Sequence, residues 1–179
     1  MSARRARRVA FALALPAGGC GYRSLAGGGA GDVAVVLGAS HVPDVAAADE
    51  VVAGVRARLA QDGVVGRGAR FPRIEVEVLR IDEVADGVGV LGEGSQAAPS
   101  ARAVRVAVVA RAYFVREAGA QAERDTGDVR VTVTARTSAN ANQDLFVHGS
   151  LVRAAARRAG EALGARVLGH PSPSDDLEM

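Results

Sequence analysis

The sequence predicts an α+β body in two layers: a four-stranded mixed sheet with two helices packed on one face, in the order β-α-β-β-β-α. Three observations carry this expectation. Residues 74–79, 104–114 and 129–136 alternate side chains with a period of two, the mark of half-buried strands. Residues 45–62 and 145–168 repeat apolar side chains at three- and four-residue spacing, the mark of amphipathic helices. Each element therefore has one apolar side, and a single sheet covered on that side by both helices buries all of them at once.

The segment ahead of this body has a different character. Arg4, Arg5, Arg7 and Arg8 precede an apolar run from Val9 to Ala17, and Ala17, Gly18 and Gly19 precede Cys20, the only cysteine among 179 residues. Charged, apolar and small-residue blocks in this order make a secretory signal peptide. The apolar run is too short to span a bilayer. A cysteine directly after the small residues reads as the lipid-attachment residue of a bacterial lipoprotein, with residues 1–19 as its signal peptide, although the usual motif puts Leu where Ala17 stands. Two other readings stay open on these residues: ordinary cleavage beside an incidental cysteine, and twin-arginine export through Arg7 and Arg8. The lipidated form would carry a diacylglyceryl group and an amide-linked acyl chain such as palmitate. Each buried methylene contributes about 0.8 kcal/mol, so several chains anchor stably where one holds only reversibly.

Without residues 1–19 the chain suits one domain with one core. Four of its 22 basic residues and none of its 20 acidic residues precede Cys20, so the basic isoelectric point belongs largely to the signal peptide and the remainder is slightly acidic. That balance argues against nucleic acid as a partner, which calls for a clustered basic face. With Cys20 lipidated no thiol is left for a disulfide, a redox motif or a metal. Every basic residue is Arg, and Ala, Val and Gly abound, so a single Arg or Ala carries little functional weight by itself.

In chain order, residues 20–31 read as a Gly-rich tether. The single domain follows over 32–169. Val33, Val35 and Val36 make a first strand from Asp32 to Leu37, bounded by Gly38. Asp44 is the expected N-cap of a first helix to Asp62, with Asp49 and Glu50 in early turns and Gly63 as the stop. Ile74, Val76 and Val78 alternate with Glu75, Glu77 and Leu79 in the next strand, and the slip near Leu79 to Ile81 predicts a bulge or a strand end. Residues 86–101 read as a loop containing Gly87, Gly89 and Gly92. Their G-x-G-x-x-G spacing would suit a dinucleotide only if a helix began there, and a strand comes next instead. Val104, Val106, Val108, Ala110, Ala112 and Phe114 face one way while Arg105, Val109, Arg111 and Tyr113 face the other. After turn residues 125–128, Val129, Val131, Val133 and Ala135 likewise oppose Arg130, Thr132, Thr134 and Arg136. A polar break at 140–144 precedes the second helix, Leu145 to Leu168, whose stripe is Leu151, Ala155, Ala159, Leu163 and Val167. Residues 170–179 read as a disordered tail.

The sequence offers no catalytic constellation, cofactor motif or metal site. His41, His148 and His170 are scattered and read as satisfied or exposed loop histidines. Ser150 lacks the G-x-S-x-G elbow. Adjacent acids such as Asp49 with Glu50 have no apolar pocket to split their pKa values. One feature with chemistry remains. Paired strands would project Arg105, Arg111, Arg130 and Arg136 from one surface, which suits bidentate contact with phosphate or carboxylate. The same face equally reads as a solvated one on which Glu75 and Glu77 offset the arginines.

Cys20-Gly21-Tyr22-Arg23, the Gly-rich tether, the Val-rich first strand and the β-α-β-β-β-α order together resemble the lipopolysaccharide-assembly lipoprotein family, LptE-like. The resemblance runs from Cys20 to about Gly169, with Cys20, Gly21 and Tyr22 as its motif. It implies a non-enzymatic protein at the periplasmic face of the outer membrane. Such a protein plugs and helps assemble an LptD-like β-barrel translocon and aids lipopolysaccharide insertion into the outer leaflet. An accessory lipoprotein of another envelope machine, such as a peptidoglycan-synthase activator or a transporter auxiliary subunit, is the alternative, and an anchored hydrolase the reading from a different class.

Overall fold

A computed structural model of the chain describes residues 32–88, 101–137 and 141–170. The signal peptide, Cys20, the tether, Gly89, Gly92 and the tail beyond His170 lie outside the described residues. The elements are β1 (Ala34–Ser40), α1 (Val45–Gln61), β2 (Arg73–Val88), β3 (Ala101–Val115), β4 (Arg124–Asp125), β5 (Val129–Thr137) and α2 (Ala141–Leu168). As the periodicity predicts, this is an α+β fold with a mixed sheet and two helices on one face. β1 runs parallel to β2 with α1 as the crossover, and β2 and β3 are antiparallel along their whole length. β4 and β5 both pair with β3 on its other edge. The sheet thus has five strands in four rows, not four continuous strands, because residues 126–128 break the last row. The Thr126 hydroxyl accepts from the Ala112 amide at 2.9 Å and the Thr126 amide donates to the Ala112 carbonyl at 3.0 Å, so β3 keeps its hydrogen bonds across the gap.

Three boundaries differ from the sequence reading. β1 runs on through Gly38 to Ser40, with a register shift between Leu37 and Ala39, so Gly38 marks a bulge and not an end. β2 passes its slip with a bulge between Val78 and Arg80 and continues to Val88, which pairs with Ala101. The loop expected from residue 86 therefore begins later, and Gly87 sits in a strand opposite Arg102; pairing to β3 overrides the poor strand propensity of Asp86 and Gly87. α2 begins at Ala141, so Asn142, Gln143 and Asp144 form a first turn in place of a break. First-turn amides have no helical partner, and short polar side chains are tolerated there. In α1, Asp44 caps as expected, its Oδ1 accepting from Ala47 N at 3.0 Å, but Asp49 and Glu50 fall beyond the first turn, which holds no acid.

Both helices stop on glycines in left-handed conformation, Gly63 (φ +68°) and Gly169 (φ +81°). At the second, Gly169 N donates to Arg166 O and His170 N to Ala165 O, a Schellman arrangement. The start of β1 is covered along its free edge: Val33 bridges Val65, and Arg56 Nη2 donates to Val35 O at 2.8 Å.

The core joins Val33 and Val35, Ile74, Val76 and Val78, and Val106, Val108, Ala110, Ala112 and Phe114 of the sheet to Val51, Val55 and Leu59 of α1 and Leu151, Ala155, Ala159 and Leu163 of α2. The predicted stripe of α2 is buried throughout, and Val152, Ala156, Ala162 and Ala165 are buried beside it, because this helix packs on both the sheet and α1. The helices meet backbone to backbone. A Cβ on Gly54 would collide with the Arg157 carbonyl, one on Gly160 with the Val51 carbonyl, and one on Gly164 would come within 2.8 Å of Arg58 Cβ. Gly149, in the same helix, has open space around it.

Ala at two glycines of α2 should therefore have opposite effects. Gly149→Ala is expected to stabilise by about 0.5–1 kcal/mol through helix propensity. Gly160→Ala should destabilise by about 1–3 kcal/mol, since the helices must part to admit the methyl. Urea or thermal unfolding of the two variants measures both signs, and a stable Gly160→Ala would contradict the close crossing.

Candidate functional site

The sheet face away from the helices gathers the four arginines that strand alternation placed together. Arg105 lies between Val84 of β2 and Thr134 of β5, Arg111 opposite Glu77, Arg130 opposite Val109, and Arg136 opposite Ala103. The side chain of Arg136 lies outside the described residues. β2 contributes acids to this face. Its bulge reverses the parity of the strand, so Glu75 and Glu77 precede it on the outer side and Asp82 comes after it on the same side, while Glu83 turns toward the helices opposite Val106.

These charges neutralise one another. Arg111 Nη2 lies 2.6 Å from Asp128 Oδ1 and its Nε donates to the same oxygen at 2.9 Å, with Asp125 at 3.9 Å. Arg111 Nη1 also donates to Tyr113 Oη at 3.4 Å, Tyr113 donates to Glu77 Oε2 at 3.2 Å, and His41 Nε2 meets Glu77 Oε1 at 2.8 Å. A continuous polar chain thus crosses the sheet from the end of β1 to the break between β4 and β5. Bonding to the Tyr113 hydroxyl and the Asp128 carboxylate holds the Arg111 guanidinium well above its ordinary pKa. Asp82 is shared by Arg80 at 3.4 Å and Arg130 at 3.5 Å. Beneath these pairs Ala107 and Val109, on the outer face by register, are only 2% and 5% exposed, consistent with the stems of long charged side chains covering apolar surface. Exposed pairs of this kind are worth about 0–1 kcal/mol each, and their arrangement makes a flat, mixed-charge surface in which an incoming anion competes with carboxylates already in place.

The three histidines each meet a carboxylate of another element: His41 with Glu77, His148 Nδ1 with Glu83 at 3.0 Å, and His170 Nε2 with Asp62 at 3.5 Å. His148 is helical rather than in a loop. Ser150 donates to the Val147 carbonyl one turn back, at 2.8 Å. Among the described residues no three His, Cys, Asp or Glu side chains gather as metal ligands, and no helix is long and apolar enough to cross a membrane.

Sequence reasoning passed over a second charged feature. Arg56 of α1 and Arg67 line one open groove with Val36, Gly66, Gly68 and Ala69. The signal in the sequence was the segment Gly66-Arg67-Gly68-Ala69-Arg70, two arginines spaced by small residues in a stretch without periodicity. In the turn between β3 and β4, Arg116 Nη2 donates to Glu123 Oε2 at 3.0 Å, and this guanidinium holds the Glu123 carboxyl below its ordinary pKa.

No protein-family model matches the chain, and no curated protein matches it. Solved structures similar to it include a minor lipoprotein from Acinetobacter baumannii, with TM-score 0.45 and 10% identity over 76% of this chain and 92% of that one. Rare lipoprotein B from Shewanella oneidensis is similar at TM-score 0.45 and 12% identity, over 76% of this chain and 94% of that one.

The Glu123 pair has a testable sign. Its folded-state pKa is depressed, so its contribution is present above the ordinary glutamate range and is lost as pH falls through the lowered value. Arg116→Gln should move the Glu123 titration, monitored by carboxyl NMR, back up toward the ordinary range. An unmoved titration would refute the pairing.

Proposed function

We propose that this chain is an outer-membrane lipoprotein, held at the periplasmic face by acyl chains on Cys20. Its body works without catalysis as a plug and assembly factor of an LptD-like β-barrel translocon, aiding lipopolysaccharide insertion into the outer leaflet. One observation carries the reading: Cys20-Gly21-Tyr22 at the end of a signal-peptide pattern stands ahead of a two-layer body with both helices on one face. Physical fit supports it. The interior of a large outer-membrane barrel is polar, and the outer sheet face here is a mixed-charge surface on which Val84 is the exposed apolar side chain of β2 and Val109 is covered by its charged neighbours. Arg105, Arg111, Arg130 and Arg136 are the proposed contacts with the barrel wall or with lipopolysaccharide phosphates. Because Arg111 and Arg130 already hold Asp128 and Asp82, contact there proceeds by exchange of ion-pair partners, which suits a protein wall carrying both signs of charge.

Two outcomes test this proposal. Mass spectrometry of the exported protein should find the mature N-terminus at Cys20 with acyl chains attached, and Cys20→Ser should move the protein from the membrane to the soluble fraction; an unmodified N-terminus refutes the anchor. Affinity purification from detergent-solubilised membranes should recover a large barrel protein, and Arg111→Glu with Arg136→Glu should weaken that recovery while the fold is retained. Recovery of a peptidoglycan synthase or a transporter instead would replace the translocon with another envelope machine.

A further inference from the structure

We propose that the loop Gly66–Arg70, with Arg56 behind it, is a membrane-facing contact for anionic phospholipid headgroups, a role that rests on the lipid anchor at Cys20. The loop is stitched to the start of the described chain. Val33 N donates to Val64 O at 2.9 Å and Gly66 N to Val33 O at 2.7 Å, and a Cβ on Gly66 would come within 2.8 Å of the Asp32 backbone. Asp32 is twelve positions after Cys20, so the anchor lies at most about 43 Å away at full extension. The register fixes which end of the body this is. Ala34 is level with Arg73 and Arg73 with Val115, whereas Val88 and Ala101 pair at the opposite end, about 50 Å along β2 at roughly 3.3 Å per residue. An anchor joined through Asp32 confines the near end to within about 43 Å of the bilayer.

The charges at this end are arranged for phosphate. Arg67 and Arg70 are both exposed and, among the described residues, have no ion pair or hydrogen-bond partner, in contrast to Arg111, Arg116 and Arg130. Arg56 shares the groove with Arg67 while one of its nitrogens holds the Val35 carbonyl, which fixes its guanidinium in place. The facing acids are few. Glu75 is taken by Arg73, Glu123 by Arg116 and Asp62 by Arg58, leaving Asp32 and Glu117. Guanidinium groups bind phosphate oxygens bidentately, and cations within a Debye length of an anionic leaflet are drawn to it. Two arginines free of internal partners, at the end to which the anchor is tethered, therefore give the body a second attachment that sets its orientation on the membrane.

The test uses the single thiol as the anchor. The chain from residue 20 onward is coupled through Cys20 to a maleimide-bearing lipid in vesicles of phosphatidylglycerol and phosphatidylcholine in equal parts, and in vesicles of phosphatidylcholine alone. Hydrogen exchange of the residue 67–70 amides is then measured by mass spectrometry. Exchange is expected to slow about tenfold on the anionic vesicles only, and the slowing should vanish in Arg67→Ser with Arg70→Ser. The proposal is overturned by no slowing, by equal slowing on both vesicles, by slowing that survives the double substitution, or by the same slowing with inorganic phosphate in solution. Chemical coupling makes the result independent of lipidation in cells, so an unmodified Cys20 in vivo would refute the anchor without altering the vesicle measurement.

Discussion

The distance between α1 and α2 governs the rest of this body. Four rows of strands about 4.8 Å apart offer a sheet less than 20 Å wide, and two helices with ordinary side chains between them, each about 10 Å across, fill all of it. Gly54 and Gly160 remove side chains from the crossing, so backbone rests on backbone there, and Gly164 makes room for the Arg58 side chain. Both helices then fit over the apolar face, Val51 and Val55 of one and Ala155 and Ala159 of the other reach the same core, and the opposite face is left free of helices. Gly is a poor helix former by about 1 kcal/mol relative to Ala. Here that cost is offset by dispersion contacts along a close-packed seam.

The character of the free face is decided by one inserted residue. The bulge between Val78 and Arg80 turns the second half of β2 over. Without it Asp82 would point into the helix layer and Glu83 outward; with it Asp82 lies between Arg80 and Arg130, and Glu83 reaches His148 on α2. The broken last row acts in the same direction, since Asp125 and Asp128 flank the gap where Arg111 meets them. A row of arginines that would repel one another is thereby interleaved with acids drawn from distant parts of the chain.

Period-two and period-3.6 patterning made the strands, the helices, their apolar sides and the co-facial arginines legible from sequence. The boundaries at Gly38, Asp86 and Ala141 were not, because Gly, Asp and Asn carry weak local preferences that ladder pairing and a first helical turn override. The glycine seam was invisible for a related reason: a lone Gly in a helical pattern reads as a cost, and its use depends on which helix lies opposite. Pairing of the arginines depended on the bulge and on acids 17 and 48 positions from Arg111 and Arg130, separations that no local pattern encodes. The slip near Leu79 was visible, but not that it would set the sign of the charges on each face.

An open sheet invites neighbours to add strands at its rims, the route by which secreted β proteins clump. In this protein both rims are interrupted. On one side the Val65 bridge and the Arg56 guanidinium occupy backbone groups of β1 that a foreign strand would need, and a bulge at Gly38 kinks the remainder of that strand. On the other, the interruption at residues 126–128 divides the row into the two residues of β4 and the nine of β5. Addition of a foreign strand along a whole rim is thereby discouraged at the level of the backbone.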